Sequence, residues 1–259
     1  MSSQQRFFVP PEAIENGQVR FNREQARQMM AVLRMAPGQT VTVLDNSGWQ
    51  YLVALERLTP ADAVGAVRTR TLVSSEPRTK ITLYVGMIRA PRLEIVLQKC
   101  TELGVVAFVP VLCQRSLLGQ ADELNPAKLD RWERIIVEAA EQSGRGKLPQ
   151  LMAAESLEQA CEQARGLSLM LWEGERERRL RDALQAAGGD EAGRRRGAAA
   201  RPFSVNLFVG PEGGFTDGEV QRARAFGVQP VTFGPRILRA ETASVAVVAA
   251  ILYAQGDLG

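Results

Sequence analysis

The sequence contains no histidine. That absence removes the commonest general base and the commonest metal ligand together. Lysine is nearly absent as well, with four residues against 28 arginines. The three cysteines, Cys100, Cys113 and Cys161, are odd in number and show no CxxC spacing. They argue against a disulfide framework and against a zinc site. Cys100 and Cys161 fall in helical apolar patterns and are expected as buried thiols. No apolar run approaches the ~18 residues of a membrane span. The N-terminal residues Ser2, Ser3, Gln4, Gln5 and Arg6 are not the apolar core of a signal peptide. A reducing cytoplasm, no membrane and no metal are the expectations.

What is present is an ordinary core and an unusual cation. Hydrophobic residues make up 45% of 259, enough for one large domain or two of ordinary size. The net charge is only +3, but the pI is near 9.0 and nearly all the positive charge is guanidinium. Guanidinium grips phosphate in a fork and stacks on bases. A nucleic-acid partner fits, and so does a plain coding bias toward arginine. Residues 1–75 carry 8 basic and 6 acidic groups, and residues 76–259 carry 24 and 23.

The first 75 residues read as mostly β with one helix. Arg6–Val9 is a strand stopped by Pro10-Pro11. Asn22 caps an amphipathic helix over 22–33, with Ala26, Met29, Met30 and Leu33 on one face. Val41–Leu44 and Trp49–Leu55 flank the turn Asp45-Asn46-Ser47-Gly48, and a third strand runs from about Gly65 to Val73. A small β-barrel is expected, followed by a linker at Ser74–Arg78. From residue 80 strands alternate with helices, which predicts a mainly parallel sheet. The strands are Ile81–Val85, Val105–Val111, Leu167–Trp172, Val205–Val209 and Val231–Phe233. Asn125-Pro126 opens one helix, Thr216–Glu219 is the capping box of another, and Thr242–Tyr253 is a third. Residues 186–202, with Gly188-Gly189 and Arg194-Arg195-Arg196, lack periodicity and read as a mobile surface insertion, either solvated or touching RNA.

Two strand–loop–helix junctions stand out. Gly210-Pro211-Glu212-Gly213-Gly214 follows a strand and precedes a capped helix. Its glycines permit positive φ and close backbone approach to a ligand. The spacing is neither GxGxxG nor GxxxxGK[ST], so dinucleotide and P-loop readings fail. Alone, the loop is equally a tight turn or a ligand cradle. The second junction is Phe233-Gly234-Pro235-Arg236-Ile237-Leu238-Arg239-Ala240-Glu241-Thr242-Ala243. Two such junctions near one chain end can share a ligand, and strand C-termini are where open α/β sheets bind theirs.

These two segments resemble the second and third signature motifs of the SPOUT methyltransferases. In detail they resemble the ribosomal RNA small-subunit methyltransferase E family, which methylates N3 of a uridine in 16S rRNA. Lys99–Val105 is similar to that family's K-x-x-E-L-G-V segment, and Glu138–Arg145 to its E-A-x-E-Q-S-x-R segment. Gln114-Arg115-Ser116 resembles its R-S segment. Arg6-Phe7-Phe8 and Val32-Leu33-Arg34 resemble its PUA-like RNA-binding domain. The family often has a histidine before V-L-R, where this chain reads Gln28-Met29-Met30-Ala31. The resemblance implies a PUA-like barrel over 1–75 and a SPOUT domain over 76–259. It further implies a deep trefoil knot, an exception to the usual rules of topology, and a homodimer. The cofactor it implies is S-adenosylmethionine, with S-adenosylhomocysteine as product. Gly210, Pro211, Glu212, Gly213 and Gly214 are expected to line its pocket, with Phe233, Gly234, Ile237, Leu238, Arg239 and Thr242 closing it. The RNA partner, 16S rRNA or the small ribosomal subunit, is expected to meet Arg6, Arg34, Arg89, Lys99, Arg115, Arg145 and Arg236.

N3 of uridine carries a proton and attacks poorly until it leaves, so the enzyme must align the reactants and help remove that proton. Without histidine, the base is a carboxylate, a perturbed Arg or Lys, or water. Glu241 and Glu102 are candidates for deprotonating or orienting the uracil, and Arg239 for stabilising charge on its oxygens. Equally, Glu241 is a carboxylate at a helix start, favoured by the dipole; for Glu102 an ion pair with a nearby arginine is favoured over catalysis. Two other functions remain open on sequence: ribose 2′-hydroxyl methylation, and RNA binding without catalysis.

Overall fold

Alternation of apolar residues builds the first sheet. Val41 and Val43 on β4 (Thr40–Leu44) and Val53 and Leu55 on β5 (Trp49–Leu58) are buried at alternate positions, with Thr42 and the small Ala54 between them. The computed structural model describes residues 5–116, 125–188 and 204–258. Within these, contacts divide the chain into two compact units, Met1–Glu76 with Val137–Leu148, and Pro77–Ile136 with Pro149–Gly259.

In the first unit, β1 (Arg6–Phe8), β2 (Ile14–Glu15), β3 (Gln18–Phe21), β4, β5 and β6 (Ala63–Leu72) form one sheet in the order β1-β4-β5-β6-β3-β2. Its end strands β1 and β2 do not pair, so the sheet is open where a barrel was expected. The β4–β5 hairpin turns through Asn46 (φ 62°) and Gly48 (φ 98°), the left-handed residues a short loop needs. Helix α1 (Arg23–Arg27) starts at an Asn22–Gln25 capping box. It does not continue as one α-helix to residue 33. Residues Gln28–Val32 widen into a π turn, with the Leu33 N–H reaching the Gln28 carbonyl at 3.0 Å. Arg34, left-handed at φ 51°, ends it. The core gathers Val19, Met29, Val41 and Val53, with Phe7 edge-on to Phe21 at 6.0 Å. Residues 137–148 close the unit's other side: Ala140 packs on Phe8 and Leu44, and the Phe8 N–H donates to Glu141 Oε1 at 2.9 Å.

The second unit holds β7 (Lys80–Gly86), α2 (Ala90–Leu103), β8 (Ala107–Leu112) and α3 (Pro126–Ser143), whose last residues belong to the first unit. Then come β9 (Gln150–Leu151), β10 (Glu155–Ser156), α4 (Leu157–Gln163), β11 (Leu167–Leu171) and α5 (Leu180–Gly188). It closes with β12 (Ser204–Val209), α6 (Asp217–Ala225), β13 (Gln229–Val231) and α7 (Ala240–Ala254). The strands lie in the order β10-β8-β7-β12-β11-β13, with β9 beside β8, and every pairing is parallel. The expected parallel α/β sheet is present. Residues 186–188 complete α5, and the remainder of the insertion expected at 186–202 lies outside the described residues.

The pleat decides which helices cover which face. Ile81, Leu83, Val205, Leu207 and Leu169 meet α2, α5 and α7 on one face, while Tyr84, Phe208 and Met170 meet α4 and α6 on the other. Tyr84 and Phe208 are direct partners across β7–β12 and stack at 4.2 Å. Val247, Val248, Ile251 and Leu252 on α7 are completely buried, each contributing roughly 1.5–3 kcal/mol. β7 has β8 on one side and β12 on the other, so the chain changes its direction of travel there. The loops after β7, β11, β12 and β13 therefore crowd one edge of the sheet.

Candidate active site

Four strand ends build one cavity of about 580 Å³, within the range of small-molecule sites. The loop after β12 contributes Gly210, Pro211, Glu212 and Gly214, and the loop after β13 contributes Phe233, Gly234, Arg236, Ile237, Leu238 and Arg239. Leu171, Trp172, Glu173 and Arg176 enter from the end of β11, and Arg92 from the first turns of α2. The expected β13 stops at Val231, which releases Thr232–Arg239 as a loop over the cavity.

The glycines have separate duties. Gly214 takes φ 68°, which a side chain rarely adopts. Gly86, at the end of β7, touches the loop so closely that a Cβ there would stand 2.5 Å from Pro211 N and Cδ. The loop's far end is pinned by α6. Thr216 and Glu219 form the expected capping box, and the buried Glu219 also accepts the Gln114 N–H at 2.8 Å. That bond draws Gln114-Arg115-Ser116 to the loop, and Arg115 donates to the Gly213 carbonyl at 3.0 Å.

Charge in the cavity centres on Arg92. It lies 3.2 Å from Glu212 Oε1 and 3.8 Å from Glu241 Oε1. The second oxygen of each carboxylate, Glu212 Oε2 and Glu241 Oε2, is buried without a hydrogen-bond partner among the described residues. One guanidinium thus faces two carboxylates. Buried acceptors without donors are costly, by ~1–3 kcal/mol each. A ligand bringing an ammonium or N–H groups would satisfy them. Leu171, Val209, Val231, Ile237 and Leu238 supply an apolar wall for a flat ring. Among the described residues no group of three or more His, Cys, Asp or Glu could hold a metal ion.

The model of an RNA methyltransferase domain family matches residues 74–252. A ribosomal RNA small subunit methyltransferase E from Synechocystis is 35% identical over 251 residues, spanning 95% of this chain and 76% of the relative. The chain belongs to the ribosomal RNA small subunit methyltransferase E family. It is an RNA methyltransferase. The same-named relative from Bacillus subtilis is 29% identical over 89% of this chain and 88% of its own. Among solved structures, that of a ribosomal RNA small subunit methyltransferase E from Neisseria gonorrhoeae bound to S-adenosyl methionine is 30% identical with a TM-score of 0.81, covering 96% of this chain and 97% of its own. A putative methyltransferase from Legionella pneumophila with bound SAM is 28% identical at a TM-score of 0.84, over 97% and 98%.

Within this family member, the expected site residues fall in three groups. Gly210, Pro211, Glu212, Gly214, Phe233, Gly234, Arg236, Ile237, Leu238 and Arg239 line the cavity together. Glu241 reaches it through Arg92, and Arg89 caps α2 with its N–H 3.4 Å from Glu212 Oε1. Gly213 instead packs on Arg115, and Thr242 is exposed on α7 outside the lining. Glu102 does not join the site. It is paired with Lys99 at 2.8 Å in the last turn of α2, about 15 Å along the helix from Arg92 at 1.5 Å per residue. Arg145, expected to touch RNA, is 3% exposed and holds Glu76 at 2.9 Å, so it is a structural ion pair. Arg34 is exposed, while the guanidinium of Arg6 lies over Gly144. Arg92 was missed. Its signal was present: Gly86-Met87-Ile88-Arg89-Ala90-Pro91-Arg92 is a third junction of strand, arginine and helix.

Proposed function

We propose that this methyltransferase transfers a methyl group from S-adenosylmethionine to N3 of a uridine in 16S rRNA. The observation that carries the reading is the cavity where the two signature loops meet, with unsatisfied acceptors at one side and an apolar wall at the other. The residues present fit the cofactor: Glu212 Oε2 would take the ammonium group, and Leu238, Ile237 and Val209 would hold the adenine. The bound cofactor supplies an electrophilic methyl on a sulfonium, so the chain's task is alignment and one proton.

Glu241 is the group we assign to that proton. Arg92 holds its Oε1 and leaves Oε2 free to accept. Arg239, the N-cap of α7, is exposed at the cavity and can lie against the uracil oxygens as N3 becomes an anion. Arg236 and Arg115, both exposed, would meet the RNA backbone. The open-sheeted N-terminal unit is the PUA-like RNA-binding module, with Arg6 and Arg34 on it. The fold reading includes the trefoil knot of the C-terminal unit and a homodimer. Exposed Ile95 on α2 and Tyr253 on α7, two helices that pack together, support a face for a second copy. The enzyme works in the cytoplasm, on free rRNA or the small subunit.

The test is nucleoside mass spectrometry of rRNA treated with the enzyme and cofactor. A methyl on the uracil ring supports the reading, and a methyl on ribose overturns it. For the base, Glu241→Gln is expected to lower kcat by ~10²–10⁴. Full activity removes Glu241 from the role.

A further inference from the structure

A second cavity, of about 900 Å³, lies across the Thr232–Pro235 turn from the first. Arg176 lines both. The second cavity has Arg179, Arg181 and Gln185 along one side and Leu184, Phe233 and Ala250 on another, and among the described residues no acidic one lines it. None of Arg176, Arg179 and Arg181 makes an ion pair among the described residues, although Glu173, Glu175 and Glu177 are close in sequence. Phe233 is 39% exposed, an aromatic face left open beside these guanidinium groups.

The loop that carries the arginines is built rigidly. Glu175 Oε1 accepts the N–H groups of Arg176, Glu177 and Arg178 at 3.0, 2.9 and 3.1 Å, and Arg224 holds Oε2 at 3.4 Å. The loop is then laced to the end of β13. Thr232 N–H donates to the Arg178 carbonyl at 2.9 Å, and Leu180 N–H to the Thr232 carbonyl at 3.0 Å. Glu175 is thus spent on its own backbone and on Arg224, so it does not neutralise Arg176, Arg179 or Arg181. A cavity that the described residues line with arginines and no acid, beside the proposed methyl-transfer site, suits a polyanion with flat bases.

We propose that this second cavity holds the RNA strand flanking the target nucleotide, with phosphates on Arg176, Arg179 and Arg181 and a base against Phe233. The inference rests on the chain acting on RNA, but not on which atom is methylated. Fluorescence anisotropy of a labelled single-stranded rRNA fragment, measured across salt, tests it with Arg179→Gln/Arg181→Gln. Arg165→Gln, at the opposite end of β11, is the control. Two lost phosphate contacts should reduce the slope of log K against log salt by roughly 1.4, at ~0.7 per contact on a single strand. The double variant should keep its S-adenosylmethionine affinity by calorimetry, and the control should keep its slope. A double variant with the wild-type slope overturns the proposal. So does an altered oligomeric state with RNA affinity intact, which would assign the cavity to a second copy. If the wild-type enzyme methylates ribose while the slope still falls, the base assignment fails and the RNA rim stands.

Discussion

Replacing Gly86 with alanine should weaken cofactor binding from outside the cavity. The added methyl would stand 2.5 Å from Pro211 N and Cδ and 3.0 Å from the Gly210 carbonyl carbon. Ordinary carbon contacts sit near ~3.5 Å, so the Gly210–Pro211 segment must retreat by about 1 Å. Neither partner is a flexible tip. Both belong to the loop that leaves β12, and β12 is tied to β7 up to the Val85–Val209 pair. Overpacking of this kind costs ~1–3 kcal/mol. Glu212 rides on the same loop, and its 3.2 Å contact with Arg92 stretches if the loop moves. If about 1.4 kcal/mol of that cost is relieved by a displaced loop that binds less well, cofactor affinity falls tenfold. Urea denaturation gives the stability and titration calorimetry with S-adenosylmethionine the affinity. Gly227→Ala serves as a control. It meets nothing within 4 Å but sits at φ 82° beyond α6, so it should lower stability through strain and leave affinity alone. A Gly86→Ala protein with affinity within twofold of wild type refutes the loop argument.

Arg145→Met should destabilise the first unit by ~3–5 kcal/mol, because it strands a part-buried carboxylate; equilibrium denaturation reads this directly. Burial alone would raise the Glu76 carboxyl, but Arg145 and the N–H groups of Gly146 and Lys147 outweigh it and hold it below its ordinary value. The pair's stabilisation is therefore present above about pH 4.5 and lost as pH falls further. Glu141 behaves oppositely: burial pushes it up to about 7, against the Phe8 N–H, with Glu138 adding to the rise. Its folded value exceeds the unfolded 4.5, so the wild type loses stability as pH rises from about 4.5 to 7. Glu141→Gln, which keeps an acceptor for Phe8, should raise the denaturation midpoint above pH 7 and leave it unchanged below 4.5. Glu102→Gln should keep kcat within about twofold, since Glu102 meets only Lys99 in a surface pair worth ~0.2–1 kcal/mol; a hundredfold loss would return it to the active site.

Much of the second unit was legible because its signals are local. Apolar strands such as Val205–Val209, the Thr216–Glu219 capping box and the Asn125-Pro126 helix start each need only a few neighbouring residues to decide them. Cys100 and Cys161 sat on helical apolar stripes and are buried, the Cys161 thiol pushed up to about 12 chiefly by desolvation. Where local pattern competed with tertiary demand, the pattern lost. The stripe over 22–33 reads as one α-helix, yet Met35 N–H reaches back to the Met29 carbonyl at 2.8 Å and the chain widens into a π turn to do so. Short elements such as β9 and β10 carry too few residues to show a period.

The site divides along the same line. The loops at 210–214 and 232–239 were visible because each is one stretch of unusual chain between a strand and a helix. Arg92 was not, because what makes it notable is Glu212, 120 residues away. The arginines teach the same lesson more sharply. Composition says that 28 of them exist and favours a polyanionic partner, but it treats all alike. What separates them is whether the fold supplies a carboxylate. Arg145 meets Glu76 across 69 residues and is committed to the interior. Arg92 meets Glu212 and Glu241 and becomes part of the cavity proposed for the cofactor. Arg176, Arg179 and Arg181 sit among three nearby glutamates that look like partners in sequence, yet Glu175 is turned onto its own backbone and Arg224 instead. Arg176, Arg179 and Arg181 are thereby left without an ion pair among the described residues, on the rim of the second cavity.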